Sequence, residues 1–373
     1  MARLKVVIAP NAFKGSLSAE AVARHLARGV CRAVRAARVV RLPLADGGEG
    51  TVQVLLAARG GRRFVLPVPD ARGRPVLAEG AVLSDGTGVL EAAAASGLAR
   101  LPGELRDPRV ASSRGTGELL KFLLDRGCRR ILLGLGGTAT CDAGAGALTA
   151  LGMRFLDRHG RDLPPGGAAL GSLERIDRQG LDPRLAATEV VLLCDVDAPL
   201  LGPRGAARQF APQKGADSAA VDELEAALER FAAVVGARSA EDPGTGAAGG
   251  MGAGLAALLP RVRLVRGAAF LAAAAGLEDQ LSGADLAITG EGRLDGQTAQ
   301  GKAVAEVARS ARRAGVPAVA VVGSLGRGWQ ALLPLGLTAA LPLVGEGVDR
   351  ERAMREAPRL LERAAERVAT RLL

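Results

Sequence analysis

Seven segments of this chain set lysine, arginine, serine or carboxylates, in all but one beside glycine, in spacings that could bind anions or move protons. Pro10-Asn11-Ala12-Phe13-Lys14-Gly15-Ser16 leaves a strand-like run and enters a helix. A helix N-terminus offers free N–H groups and partial positive charge to a phosphate or carboxylate. Lys14 adds a full charge and Ser16 a hydroxyl, although an ordinary capped turn would use the same residues. Asp46-Gly47-Gly48-Glu49-Gly50 is a second strand exit; Asp46 and Glu49 are oxygen donors suited to Mg²⁺ or its bound water, or Glu49 merely favours a helix start. In Ser112-Ser113-Arg114-Gly115-Thr116-Gly117 the Arg114 fork suits a carboxylate or phosphate. Gly134 to Gly146 (GLGGTATCDAGAG) follows a buried strand. It lacks the last glycine of a dinucleotide fingerprint and reads better as a phosphate- or substrate-binding nest. Asp195-Val196-Asp197 places two acids at i and i+2, on one face of a strand, with general base and Mg²⁺ ligand as the roles open to them and turn formation before Pro199 as the alternative. Pro212-Gln213-Lys214-Gly215 is the sixth segment. The seventh, Gly290 to Lys302 (GEGRLDGQTAQGK), is one residue short of a Walker A motif. Ala303 stands where that motif needs a hydroxyl for Mg²⁺, and Asp295 or Glu291 could supply the missing ligand beside Lys302.

Glycine-rich strand exits, lysines at 14, 214 and 302, and acids at 46, 195 and 295 are what phosphoryl transfer requires: positioning, neutralisation, a divalent cation and one carboxylate base. Other chemistries lack their parts. There are two histidines, His25 and His159, and four dispersed cysteines, Cys31, Cys128, Cys141 and Cys194, with no CxxC, so a histidine triad, a zinc ribbon and a dithiol centre are not expected. The net charge of +10 suggests nucleic acid, but the arginines are interleaved with acids and almost no aromatic residue accompanies them for base stacking. A nucleotide-dependent oxidoreductase would need a strand–GxGxxG–helix unit that is not found. Only five of 49 basic residues are lysine, asparagine occurs once (Asn11) and tyrosine not at all. These share A- and T-rich codons, so the survivors Asn11, Lys14, Lys214 and Lys302 carry weight. No run of roughly 18 apolar residues suggests a membrane span, and no leader pattern opens the chain; a cytoplasmic enzyme is expected.

The elements that position these residues follow from periodicity. LKVVIAP, a helix from Ser18, ARVVRLPL and a helix through TVQVLLAA alternate as in a parallel sheet. From about residue 63, FVLPVPD, PVLAEGAVLS and GVLEAAAA read as consecutive strands with turns at Asp70 to Gly73 and Asp85 to Gly88. Residues 217–235 read as an amphipathic helix and 239–254 as a glycine-rich loop. Near Asp285 the βα texture returns: DLAITGEG as a strand, TAQGKAVAEVARSARRAG as a helix, then VPAVAVVG and LTAALPL as buried strands. The C-terminal helix is expected to turn Leu361, Ala364 and Val368 inward and Glu362 to solvent. The expected fold class is α/β, a parallel-sheet domain of residues 1–62 and 278–373 with an inserted α/β domain of residues 63–277.

IAPNAFKGSLSAE, LPLADGGEGT, EAAAASGL, SSRGTGEL, GLGGTATCDAGAGALTALG, CDVDAPLLGPRGAA, FAPQKGA, GAAGGMGAGL and ITGEGRLDGQTAQGK occur here in one order. In this the chain resembles the bacterial glycerate kinase family over nearly its whole length. The resemblance implies a flavodoxin-like (Rossmann-like) domain made from both chain ends, a restriction-enzyme-like insertion, and ATP, Mg²⁺ and D-glycerate as ligands, giving 2-phosphoglycerate; 3-phosphoglycerate or a related hydroxy-acid is the alternative. Lys14, Asp46 and Asp195 are then the catalytic candidates. Arg114, Gly136, Gly137, Thr138, Asp142 and Asp197 are candidates for glycerate. Asn11, Ser16, Lys214, Glu291, Gly301 and Lys302 are candidates for nucleotide phosphates, and Asp46, Glu49 and Asp295 for the metal. No nucleic acid or membrane is expected as a partner, and a homodimer is left open. The family loop reads GGSATNDGG where this chain has Thr138, Cys141 and Ala143, and DVDNPL where it has Ala198; both departures bear on substrate range.

Overall fold

The computed structural model describes residues 4–236, 241–345 and 347–373. Its strands are β1 (Lys5–Ile8), β2 (Arg38–Arg41), β3 (Gly61–Pro69), β4 (Pro75–Leu83), β5 (Gly88–Glu91), β6 (Arg130–Gly134), β7 (Arg154–Leu156), β8 (Arg175–Asp177), β9 (Glu189–Leu193), β10 (Val262–Val265), β11 (Leu286–Thr289), β12 (Arg293–Leu294), β13 (Ala318–Val322), β14 (Ser324–Leu325) and β15 (Leu337–Pro342). The chain divides into two compact units. One contains residues 1–46, 53–58 and 266–373, the other residues 47–52 and 59–265.

The first unit is built on a five-stranded, all-parallel sheet in the order β15-β13-β11-β1-β2. Counted along the chain, that is the 2-1-3-4-5 order of doubly wound flavodoxin-like sheets, with the switch point between β1 and β11. Alternation along β1 sends Val6 and Ile8 to one face and Val7 to the other. On the Val6 face the helices Ala19–Ala33 and Ala357–Leu372 supply Val22, Leu26, Leu361 and Val368; on the Val7 face the helices Gly267–Ala274, Leu277–Leu281 and Ala303–Arg313 supply Ala268, Leu277, Val304 and Val307. Ser18 caps the first helix, its hydroxyl accepting from Ala21 N at 3.3 Å.

Three expectations for this unit change. LTAALPL is an edge strand, and only Leu337 of β15 is buried; a run of apolar residues does not distinguish centre from edge. The helix expected from Thr298 begins at Ala303, after a single 3₁₀ turn at Thr298–Gln300. Glu362 is not solvated: it is buried against helix Ala19–Ala33, with His25 Nδ1 at 2.8 Å and Arg32 at 2.7 Å. Gly29 makes room for this, since a Cβ there would lie 2.1 Å from the Glu362 carbonyl oxygen.

The second unit has a mixed six-stranded sheet, β10-β9-β6-β5-β4-β3. The first four strands run parallel and β4 and β3 continue antiparallel. Its core gathers Leu119, Leu123, Ile131, Leu192, Leu228 and Phe231. The amphipathic helix is Ser218–Val235, capped by Asp217. GVLE forms β5, but the alanines after it form the short helix Ala93–Ser96. The glycine-rich stretch expected as a loop keeps left-handed, non-helical backbone at Ala248, Gly249 and Gly250 and runs helical after them to Leu258; its residues 239 and 240 lie outside the described residues. No helix among the described residues is long and apolar enough to cross a membrane.

Candidate active site

In a parallel sheet, ligands bind beyond the carboxyl ends of the strands at the switch point. The exits of β1, β11, β13 and β15, with Asp46 on the segment after β2, line one cavity of about 380 Å³ in the first unit. Backbone bonds carry each exit to its neighbour. Asn11 N donates to Gly290 O at 2.8 Å, Gly323 N to Glu291 O at 3.1 Å, Ser324 N to Gly292 O at 3.1 Å and Leu343 N to Val322 O at 2.7 Å. Beyond the main sheet, β12 and β14 pair in parallel and extend the β11 and β13 exits.

Seven of the residues singled out in the sequence meet here: Asn11, Lys14, Ser16, Asp46, Glu291, Asp295 and Lys302. Asn11 is buried and braces the loop. Its Oδ1 accepts from Ala12 N at 2.7 Å and its Nδ2 donates to Asp46 Oδ2 at 3.3 Å. The side-chain amide donates and accepts at once here, which neither a carboxylate nor an ammonium could do. Lys14 is exposed within the turn closed by Phe13 N to Leu17 O at 2.8 Å. Ser16 Oγ donates to Met354 O at 3.2 Å. Lys302 stands at the N-cap position of helix Ala303–Arg313, and Gly301, at φ 127°, turns the chain into it.

Glu291 is buried, and Thr298 Oγ1 donates to its Oε1 at 2.5 Å. Burial pushes its carboxyl up to about 7; the Thr298 bond and the Lys302 charge pull it down, and the charges of Asp46 and Asp295 push it further up. Asp295 accepts from Gln297 N at 3.0 Å and lies 3.5 Å from Arg293. Among the described residues no group of three or more histidines, cysteines or carboxylates is arranged to hold a metal alone. Asp46 and Asp295 fit the other mode, in which a hard cation takes one or two carboxylates and completes its shell with phosphate oxygens and water.

The remaining candidates lie in the second unit, apart from Gly301. Asp142 is fully engaged inside its loop: Ser113 N and Ser113 Oγ donate to Oδ2, each at 2.8 Å, Gly146 N donates to Oδ2 at 3.2 Å, and Gly144 N to Oδ1 at 3.1 Å. Burial pushes its carboxyl up while these donors pull it down. It ties the Ser112–Arg114 segment to the glycine loop, a positioning role. Lys214 is also buried, donating from Nζ to Thr140 O at 2.7 Å, and burial lowers its ammonium pKa. Arg114 is exposed beside Glu118 at 3.1 Å. Gly136 N donates to Gly47 O at 3.1 Å, and Gly137 O accepts from Leu98 N at 2.8 Å. Thr138 is buried, Asp195 and Asp197 follow the end of β9 with Asp195 buried, and Glu49 is exposed. Cys141 is enclosed, and burial pushes its thiol up to about 11, so it is not a nucleophile.

The profile of the glycerate kinase family matches residues 6–373. The chain belongs to the glycerate kinase family. It is 42% identical over 369 residues to a glycerate kinase of Halalkalibacterium halodurans, covering 98% of this chain and 97% of that one. It is 43% identical over 327 residues to the glycerate 2-kinase of Escherichia coli K12, covering 86% of each. A crystal structure of a proposed glycerate kinase 2 from Salmonella typhimurium LT2 superposes with a TM-score of 0.82 at 40% identity, covering 100% of this chain and 98% of the other. Sequence reasoning missed the β13 and β15 exits, which add Ser324, Leu343 and Val344 to the lining. The strand-exit rule applied to VPAVAVVG and LTAALPL would have found them.

Proposed function

We propose that this chain transfers the γ-phosphate of ATP to D-glycerate and releases ADP and 2-phosphoglycerate. The carrying observation is the cavity at the switch point of a 2-1-3-4-5 sheet that holds Lys14, Lys302, Asp46, Glu291 and Asp295 together. In the transfer the acceptor hydroxyl oxygen bonds to the γ-phosphorus, the β,γ-bridging P–O bond breaks toward ADP, and the hydroxyl proton goes to a carboxylate. Lys14 and Lys302 neutralise phosphate oxygens, and the free N–H groups of helix Ala303–Arg313 add to this. Asp46 and Asp295 would hold Mg²⁺, which would supply positive charge to offset the negative charge of the phosphates. Asp195 is the candidate proton acceptor, and Arg114 with the Gly136–Thr138 segment the candidate holder of the glycerate carboxylate.

The 2-position is favoured by the name of the E. coli relative. An ADP-release assay with ATP, Mg²⁺ and D-glycerate, its product resolved by ³¹P NMR, is expected to show 2-phosphoglycerate. A 3-phosphoglycerate signal would refute the regiochemistry alone. No turnover by folded protein would refute D-glycerate as substrate and direct attention to other hydroxy-acids and to Cys141 and Ala198.

A further inference from the structure

The cavity of the first unit is chemically two-sided. Most of its charged residues come from the exits of β1 and β11 and from the segment after β2, with Arg350 at the start of the helix beyond β15. Its apolar residues are Ala12 and Phe13 on the β1 exit and a larger group on the other side, Leu343 and Val344 on the exit of β15 and Ala353, Met354 and Ala357 on the helical segment beyond. β15 stands two strands from β11 in the sheet, so Leu343 and Val344 at its exit stand about 10 Å from the β11 exit at the ordinary inter-strand spacing. Glycerate is three carbons carrying a carboxylate and two hydroxyls, and it has no apolar face to offer this wall. A nucleoside triphosphate has both parts, charged phosphates at one end and a flat, largely apolar base at the other.

Met354 is the informative residue. It is 41% exposed, and among the exposed large apolar side chains described it alone lines this cavity. A lone surface methionine needs no explanation, but one forming the open wall of a charged cavity does. It is also fixed to the phosphate side. Ser16 Oγ donates to its carbonyl oxygen at 3.2 Å, and a Cβ on Gly15 would lie 3.6 Å from its Cε. The loop carrying Lys14 therefore sets the position of the apolar wall.

We propose that Met354, with Leu343 and Val344, forms the seat of the nucleotide base, so that these three residues govern affinity for the nucleoside part of ATP. This rests on the kinase reading given above. The test compares Met354→Ser and Met354→Leu with the unaltered enzyme, measuring equilibrium binding of Mg²⁺-ADP and of Mg²⁺-tripolyphosphate, which has the phosphates and no base. Because Met354 is exposed, both variants are expected to fold, which circular dichroism checks. The expected result is at least a fivefold loss of ADP affinity in Met354→Ser, tripolyphosphate binding within twofold, and near-normal ADP binding in Met354→Leu. Unchanged ADP affinity in Met354→Ser, or equal weakening of both ligands, overturns the base seat and leaves the kinase reading standing. Failure of the unaltered enzyme to bind either ligand overturns both.

Discussion

Ala143 is fully buried with φ 50°, a left-handed backbone that costs a residue with a Cβ roughly 1–2 kcal/mol. It keeps that conformation because both sides hold it. Its N–H donates to Gly249 O at 3.0 Å, and Gly254 packs so closely that a Cβ there would lie 1.8 Å from the Ala143 carbonyl oxygen. The loop sequence shows the same thing, since the family pattern it resembles has glycine at this position. Ala143→Gly is therefore expected to stabilise the protein. The gain should be under about 1 kcal/mol, because the unfolded chain also becomes freer. A urea titration measures it, and a lower midpoint for the variant would show that the lost methyl contact outweighs the strain. At this scale the sequence was informative where a side chain answers to its own loop, as with Asn11, whose Oδ1 accepts from Ala12 N. It was uninformative about burial. Nothing local says that Lys214 and Asp142 point into protein, or that Glu362 is enclosed by His25 and Arg32, because the enclosing groups come from segments far along the chain.

Among elements, the first turn of helix Thr51–Arg59 depends on a carboxylate from another element. Val52 N donates to Glu91 Oε1 at 3.0 Å, from the last residue of β5. Burial pushes this carboxyl up to about 7, the Val52 bond opposes the shift, and the charges of Glu79 and Glu49 add to it. The folded value lies above the unfolded one, so the neutral acid is the form the fold accommodates. Its contribution is complete below about pH 4.5 and is lost as pH rises through about 7. Glu91→Gln keeps an oxygen for Val52 and never ionises. Its stability relative to the parent should rise between about pH 5 and about pH 8 by at most ~3 kcal/mol. Urea midpoints at the two pH values decide this, and a constant difference would mean that Glu91 is charged in the fold throughout. Periodicity read most elements correctly, including Ser218–Val235 and the β3–β4–β5 run. It failed where glycine content and conformation diverge, beyond Gly250, where the chain runs helical to Leu258 despite its glycines.

At the scale of the whole molecule, the two units have separate cores, one around Val6, Val7, Leu26 and Val304, the other around Leu123, Ile131, Leu192 and Phe231. The glycine-rich segments were visible in the sequence as strand exits. Which exits adjoin was not, because the order β15-β13-β11-β1-β2 pairs strands nearly 280 residues apart, such as Val6 with Leu286. That pairing puts Asn11 beside Gly290 and gathers the lysines and carboxylates of the phosphate side in the first unit alone. A ligand stabilises the structure to which it binds, and local opening reports where. Mg²⁺-ADP is therefore expected to slow amide exchange at residues 11–16, 291–302, 343–345 and 347–354, leaving residues 134–146 unchanged. D-glycerate alone should slow exchange at 113–116 and 136–142. Hydrogen exchange read by mass spectrometry separates these segments directly. Protection by Mg²⁺-ADP confined to residues 134–146 would instead move the phosphate site to the glycine loop around Asp142, and Lys14 and Lys302 would then lose the role proposed for them.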